Sequence, residues 1–317
     1  MLTRLPRCLL ALLLTGLLCL NALAQDCPPP FAPPAQAELA RLVRNARDRG
    51  FLWSIDKGGV TSYLYGTLHA QKLDWVGAGP RLREALQEAK ALALELDPSD
   101  PEVLRQLGAP PAPLTASALP EPLRARLLAR MKTECVDPPA AQALQAQPPQ
   151  MQLAALELLA ARRDGLEAAL GSDVMLASAA RAQGKPIHSL ETVAEQLRAL
   201  QPASEAESTE LIEQGLDELE NGAARRLITR LAAAWSASDA HTLMRYEDWC
   251  ECVETPAARA QLKRLLDERN PPLAERIDAL HAQHGPLLIG IGALHMFGPA
   301  GLPKLLQARG FKVKRVF

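Results

Sequence analysis

Two apolar runs near opposite ends of the chain finish on the same four-residue pattern. Tyr63-Leu64-Tyr65 runs into Gly66-Thr67-Leu68-His69, and Leu287-Leu288-Ile289-Gly290-Ile291 runs into Gly292-Ala293-Leu294-His295. A short, continuous apolar run reads as a strand buried on both faces, as in a parallel sheet covered by helices. The glycine lets the backbone turn, or be closely approached, where the strand gives way to a loop. In an open α/β sheet, ligands collect just beyond the carboxyl ends of the strands. Two histidines delivered there from distant parts of the sequence predict one shared site.

Further strands fit the same frame. Residues 51–65 read as a β-hairpin turning at Gly58-Gly59, a pair suited to a tight two-residue turn. A helix over 80–90 and the apolar run Ala91-Leu92-Ala93-Leu94-Glu95-Leu96 follow, and this strand–helix–strand succession suggests a parallel pair. Lys185 to Leu190 is a strand ending at Glu191, and 311–317 is the last. Between them the chain is helical. Gly171-Ser172-Asp173 opens a helix with Ser172 or Asp173 as its cap, and Thr192-Val193-Ala194-Glu195 is a capping box. Arg269-Asn270-Pro271-Pro272 reads as a helix end, because proline stops a helix at the residue before it. The fold class is therefore α/β: a mostly parallel central sheet in one domain over 51–317. Large helical insertions, about 101–170 and 192–284, cap the site. Residues 25–50 form a Pro-rich leader and an N-terminal helix.

The first 24 residues have the layout of a secretory signal, with Arg4 and Arg7, then a Leu-rich core, then Ala22-Leu23-Ala24. Cleavage there would send the protein to a bacterial periplasm or outside the cell, with no stable membrane span. The chain has 35 basic and 36 acidic residues, and losing Arg4 and Arg7 leaves a formal charge of roughly −3. That balance provides no footprint for nucleic acid. Cys27, Cys135, Cys250 and Cys252 would remain, and an even number in an oxidising compartment predicts two disulfides. Cys250 and Cys252 are close in sequence, so each is expected to reach back to Cys27 or Cys135. A Cys-x-Cys metal site is the alternative use of that pair.

Four ionisable side chains fall at strand ends: His69, Glu95, Glu191 and His295. In a parallel sheet all four project from one edge. Two imidazoles and a carboxylate form a reasonable set for a divalent metal (manganese, cobalt or zinc), with a metal-bound water as nucleophile and a spare carboxylate as base. Gly-x-x-His alone is weak, since 19 glycines and six histidines give roughly 0.4 chance matches. Glu95 in an apolar strand says more, because an unpaired buried carboxylate is costly. Glu191 could instead serve the adjacent helix start, and His188, His241, His281 and His284 read as solvated. Arg269 and Asn270 suit a carboxylate or carbonyl of a substrate. No serine-hydrolase elbow, phosphate-binding glycine loop, His-Glu-x-x-His helix or dinucleotide fingerprint occurs.

Six blocks occur in order: Tyr63 to His69, Ala93 to Asp97, Gly171 to Asp173, Gly184 to Thr192, Glu268 to Asn270, and Gly292 to Leu302. Together they resemble the TraB/PrgY/GumN family, related to the Tiki metalloproteases. The resemblance implies an α/β core, the two Gly-x-x-His histidines and an essential glutamate matching Glu95. For Tiki-like members it implies a metal-dependent peptidase activated by manganese or cobalt. The expected activity is thus an exported metal-dependent hydrolase acting on a peptide or protein. His69 and His295 would be ligands, Glu95 a ligand or base, and Glu191 an accessory carboxylate. Asp173, Arg269 and Asn270 would orient substrate or ligands. Two alternatives stand beside it: a non-catalytic protein binding haem or a peptide signal, and a metal-free hydrolase with histidine as base, as in the similar erythromycin-esterase-like fold.

Overall fold

A computed structural model describes residues 27–109 and 119–317. The signal-like segment lies outside the described residues. Six strands form one sheet: β1 (Phe51–Lys57), β2 (Val60–Thr67), β3 (Ala91–Leu94), β4 (Ile187–Ser189), β5 (Leu287–Gly292) and β6 (Lys312–Arg315). Their order is β4-β3-β5-β2-β1-β6. The β4/β3, β3/β5 and β5/β2 pairings are parallel, and β1 is antiparallel to both β2 and β6. The hairpin turn falls where expected, with Gly58 and Gly59 at φ of 63° and 78°, angles that β-carbons oppose.

The succession β2–helix–β3 does not give neighbouring strands. β5 lies between them, pairing Tyr65 with Gly290 on one side and Leu94 with Gly290 on the other. Its residues Leu287 to Ile291 are buried, as a central strand demands. No local pattern encodes this insertion, because β5 comes from nearly two hundred residues downstream of β3.

Alternation along β2 assigns the covering layers. Ser62 faces the helix Asn270–His284, where its hydroxyl meets His281 Nδ1 at 2.9 Å. Tyr65 and Thr67 face the other way, Tyr65 against the ring of Trp235. Helix Asn270–His284 thus buries Leu273, Ala274 and Ile277 beneath the sheet instead of joining the cap. His281, expected in solvent, is buried. Its second nitrogen meets the Lys57 carbonyl at 3.1 Å and its ring packs on Phe311, so both polar atoms are satisfied. His188 is half-buried and stacks on exposed His284, while His241 is exposed.

The helices of the insertions build a second apolar cluster of their own. Leu123, Leu127 and Met131 on helix Glu121–Thr133 meet Leu156 and Ala160 on Pro149–Ala160, and Ile212, Leu216 and Leu219 on Glu205–Glu220. Two disulfides form, but not in the expected pairing: Cys27 joins Cys135, and Cys250 joins Cys252. The short bridge closes because Glu251 adopts φ of 56° and doubles the chain back, bringing the two Cα atoms to 4.9 Å. A Cys-x-Cys metal site is thereby removed. No described helix is long and apolar enough to cross a membrane.

Candidate functional site

The four parallel strands deliver their trailing residues to one edge. β2 leads to His69, β3 to Glu95, β4 to Glu191 and β5 to His295, so every strand-end residue singled out in the sequence arrives at one place. The two Gly-x-x-His segments pack on each other, since a Cβ on Gly66 would stand 3.1 Å from the Cα of Ala293. A Cβ on Gly292 would stand 3.3 Å from Glu95 Oε1, 3.5 Å from His295 Cδ2 and 3.9 Å from His69 Nε2. Three groups therefore bound one small space over Gly292, which a β-carbon would fill by pressing on Glu95.

Each imidazole is held by its Nδ1. His69 Nδ1 meets Asp173 Oδ2 at 2.9 Å, and the preceding residue is pinned by Ser172, whose hydroxyl accepts the Leu68 N–H at 2.7 Å. Ser172 and Asp173 therefore hold the histidine loop instead of capping helix Ser172–Ala182, whose start carries no side-chain cap. His295 Nδ1 lies 2.6 Å from Asn270 Oδ1. The Asn270 amide donates to the carbonyls of His295 and Ala300, which fixes its orientation and leaves the oxygen as acceptor. His295 consequently carries its proton on Nδ1 and presents a lone pair at Nε2.

Arg269 is the centre of charge. Its guanidinium donates to Glu95 at 2.6 Å and to Glu191 at 2.5 and 3.0 Å, and Nη1 stands 3.5 Å from His295 Nε2. Glu191 is therefore an ion-pair partner, and the helix start beside it is served by Thr192 and Glu195 through the expected capping box. Arg269 and Asn270 do not end a helix. They open one, with Pro271 and Pro272 in the first turn, where a missing N–H leaves no bond unmade. Two contacts were not readable from the sequence. Gln196 donates to both Glu95 and Glu191, and the Gly292 N–H donates to Glu95 Oε1 at 2.7 Å. Gln196 follows the capping residue Thr192 by about one helical turn, which is the only pattern that could have raised it.

Burial works to raise the Glu95 pKa, but the charges of His295, Arg269 and His69 and the Gly292 N–H outweigh it and hold it at about 2. Burial holds His295 at about 4, so this ring is neutral near pH 7 and Arg269 and His69 are the cations that keep Glu95 ionised. His69 behaves oppositely. Desolvation works to lower its pKa, yet the bond and charge of Asp173, with Glu95 behind them, raise it to about 9. Its side chain is 58% exposed to the pocket. Above these groups lies a cavity of about 320 Å³, walled by Leu96, Val103, Leu107, Leu200 and Leu265 from strand end and cap.

The donor types suit a divalent cation: two imidazoles with Nδ1 engaged and Nε2 unprotonated or free to lose its proton, and a carboxylate beside the Gly292 space. Among the described residues, however, no three His, Cys, Asp or Glu side chains stand at metal-binding spacing. The chemistry of the set fits a metal; the spacing, with Arg269 drawn in against Glu95, is that of an ion-pair cluster.

A family profile described as TraB/PrgY/gumN family matches residues 51–315. Among curated proteins, "Uncharacterized protein YbaP" of Shigella flexneri is 26% identical over 254 residues, covering 79% of this chain and 89% of that protein. No solved structure matches.

Proposed function

Because the chain belongs to the TraB/PrgY/gumN family, we propose that its strand-end cluster is the active site of an exported hydrolase acting on peptides, with a divalent metal (manganese, cobalt or zinc) held by His69, His295 and Glu95. One observation carries this reading: two imidazoles from opposite ends of the chain, anchored through Nδ1 by Asp173 and Asn270, meet the Glu95 carboxylate around the space over Gly292, His69 through Nε2 and His295 through its Cδ2 edge. A bound metal would supply a water acidic enough to attack a carbonyl near neutral pH. The chain's own residues do the rest. Asp173 and Asn270 fix the two rings, and Arg269 keeps Glu95 ionised with Glu191 as its counterweight. Asn270 and Gln196 hold their partners without adding charge. The leucine-rich wall excludes water and accepts an apolar side chain next to the scissile bond.

The split between the two histidines favours a second reading, metal-free acid–base hydrolysis. His69, raised to about 9, holds a proton at neutral pH, while His295, lowered to about 4, offers a free lone pair. Environments that push two titratable groups apart create an acid and a base. Both readings use the same residues and differ in their dependence on metal.

Elemental analysis of wild type and His295→Ala, paired with a peptide-library cleavage screen in added manganese, cobalt or zinc and again in chelator, separates them. Metal in wild type that falls in the variant, with cleavage abolished by chelator, is the expected result. Cleavage that survives chelation selects the metal-free reading. Negligible metal in both proteins together with a silent screen would defeat the hydrolase. Haem, the binding-protein alternative, would announce itself as a visible absorbance band.

A further inference from the structure

A second cavity, of about 300 Å³, lies on the other side of the first turn of helix Ser172–Ala182. Ser172 and Met175 line it, whereas Asp173 lines the catalytic pocket. Its aromatic lining is Tyr65, Trp75 and Trp235, the two tryptophan rings 6.4 Å apart. Three arginines surround this apolar space: Arg47, Arg49 and Arg83.

These cations are short of partners. Among the described residues, none of the three forms an ion pair with a carboxylate, and neither Arg47 nor Arg49 donates a side-chain hydrogen bond, although the hydrogen bonds and ion pairs of other surface arginines are plentiful. Among the described residues, Arg83 is bonded only to the carbonyls of Val43 and Ala78. The nearby carboxylate of Asp48 is engaged elsewhere, accepting the N–H groups of Arg81 and Leu82 at the start of helix Pro80–Glu88. Burial and the adjacent Arg47 depress the Arg49 pKa, with Asp74 partly offsetting them. A half-buried guanidinium beside the same aromatic walls as a second, exposed one is electrostatically incomplete, and an anion completes it.

We propose that this cavity binds a small organic anion, a carboxylate on an apolar or aromatic body, with Arg47 and Arg49 on the carboxylate and Trp75 and Trp235 against the body. The lining selects the class. A bare inorganic anion would leave the aromatic walls unfilled, and a neutral apolar molecule would leave the guanidiniums unpaired. The position also matters. Trp235 Nε1 donates to the carbonyl of Gly66 at 2.8 Å, and Ser172 pins Leu68, so the pocket's walls hold both ends of the segment that delivers His69. An occupant would therefore bear on the catalytic loop from behind without touching the substrate pocket.

The test titrates purified full-length protein with 3-phenylpropionate and with its neutral amide, 3-phenylpropanamide, by isothermal calorimetry and tryptophan fluorescence. The expected result is saturable one-site binding of the acid with a change in emission, about tenfold or more tighter than the amide. In the Arg47→Gln/Arg49→Gln double variant, acid binding should weaken by a similar factor while the unfolding midpoint stays put. Equal binding of acid and amide by the wild type would overturn the proposal, as would absence of saturable binding. The wild-type comparison needs no variant to fold. Acid binding that persists in the folded double variant would place the anion elsewhere and overturn it equally.

Discussion

Replacing Arg269 by methionine keeps an apolar stem and removes the charge that stands between Glu95 and Glu191. The three side chains are 15%, 12% and 4% exposed, so solvent does little to screen what remains. Breaking a buried ion pair by deleting one partner costs about 3–5 kcal/mol, because the other charge is left uncompensated. The Glu95 pKa gives a second measure, of the whole cluster: His295, Arg269, His69 and the Gly292 N–H all contribute to it. Its value of about 2 in the folded protein, against an ordinary 4.5, corresponds to roughly 3 kcal/mol of preference for the ionised form. A depressed folded pKa contributes stability that is fully present above about 4.5 and is lost as pH falls toward 2. In the variant the sign reverses. Without the guanidinium, burial works to raise the Glu95 carboxyl with the His69 imidazolium left to oppose it, and protonating Glu95 relieves the repulsion between the two buried carboxylates. Urea unfolding followed by far-ultraviolet circular dichroism should therefore show the variant about 3 kcal/mol less stable at pH 7.5. The gap should shrink to about half or less by pH 4.5. A loss under about 1 kcal/mol at pH 7.5, or a gap that ignores pH, would refute the ion-pair account.

Three further outcomes follow from the same geometry. His295 has a folded pKa of about 4, below its ordinary 6.5, so in metal-free protein its contribution is complete above about 6.5 and declines as pH falls toward 4. The His295→Gln variant should lose that slope between pH 6.5 and 5 in urea titrations, and an unchanged slope would remove the histidine from the account. Asp173→Asn takes away the charge that holds the proton on His69, whose pKa should drop from about 9 toward 6.5 in an NMR titration of the imidazole; no movement would mean that Asp173 does not set the ring's charge. The Cys27–Cys135 bridge spans 108 residues and the Cys250–Cys252 bridge only 2, so removing the first should cost about 4–5 kcal/mol and the second about 1–2. Equal losses in paired serine variants would argue against chain entropy as the source of the difference.

Strand ends were legible in the sequence because their physics is local. Leu287 to Ile291 and Ala91 to Leu94 are too apolar to sit anywhere but the middle of a covered sheet, and both do. Gly66 and Gly292 marked the turns into His69 and His295, and Thr192 with Glu195 marked a helix start that the structure contains. What the sequence withheld depends on distant partners. Strand order was hidden because β5 is flanked by segments it does not pair with. Arg269 reads from the sequence as a helix end, because two prolines serve a first turn as readily as they forbid a continuation. Neither spacing nor composition could show that its guanidinium stands between two carboxylates. The bridge from Cys250 to Cys252 turns on one left-handed residue, Glu251, a conformation that no neighbouring residue type announces. His281 resembled the other polar-flanked histidines, and only the opposing Ser62 and the Lys57 carbonyl make its burial affordable.

Inserting β5 between β2 and β3 has a consequence for the order in which the molecule is made. Until residues 287–292 have been synthesised, β2 and β3 each present an open edge toward the other, with nothing to bridge them. Every fragment that stops short of this strand lacks both His295 and the Gly292 N–H that holds Glu95. Pairings of such long sequence separation also form late, since the loop they close is entropically expensive. The strand-end cluster is consequently incomplete for most of the chain's synthesis, and any chemistry of this edge begins only when the penultimate strand slots into place.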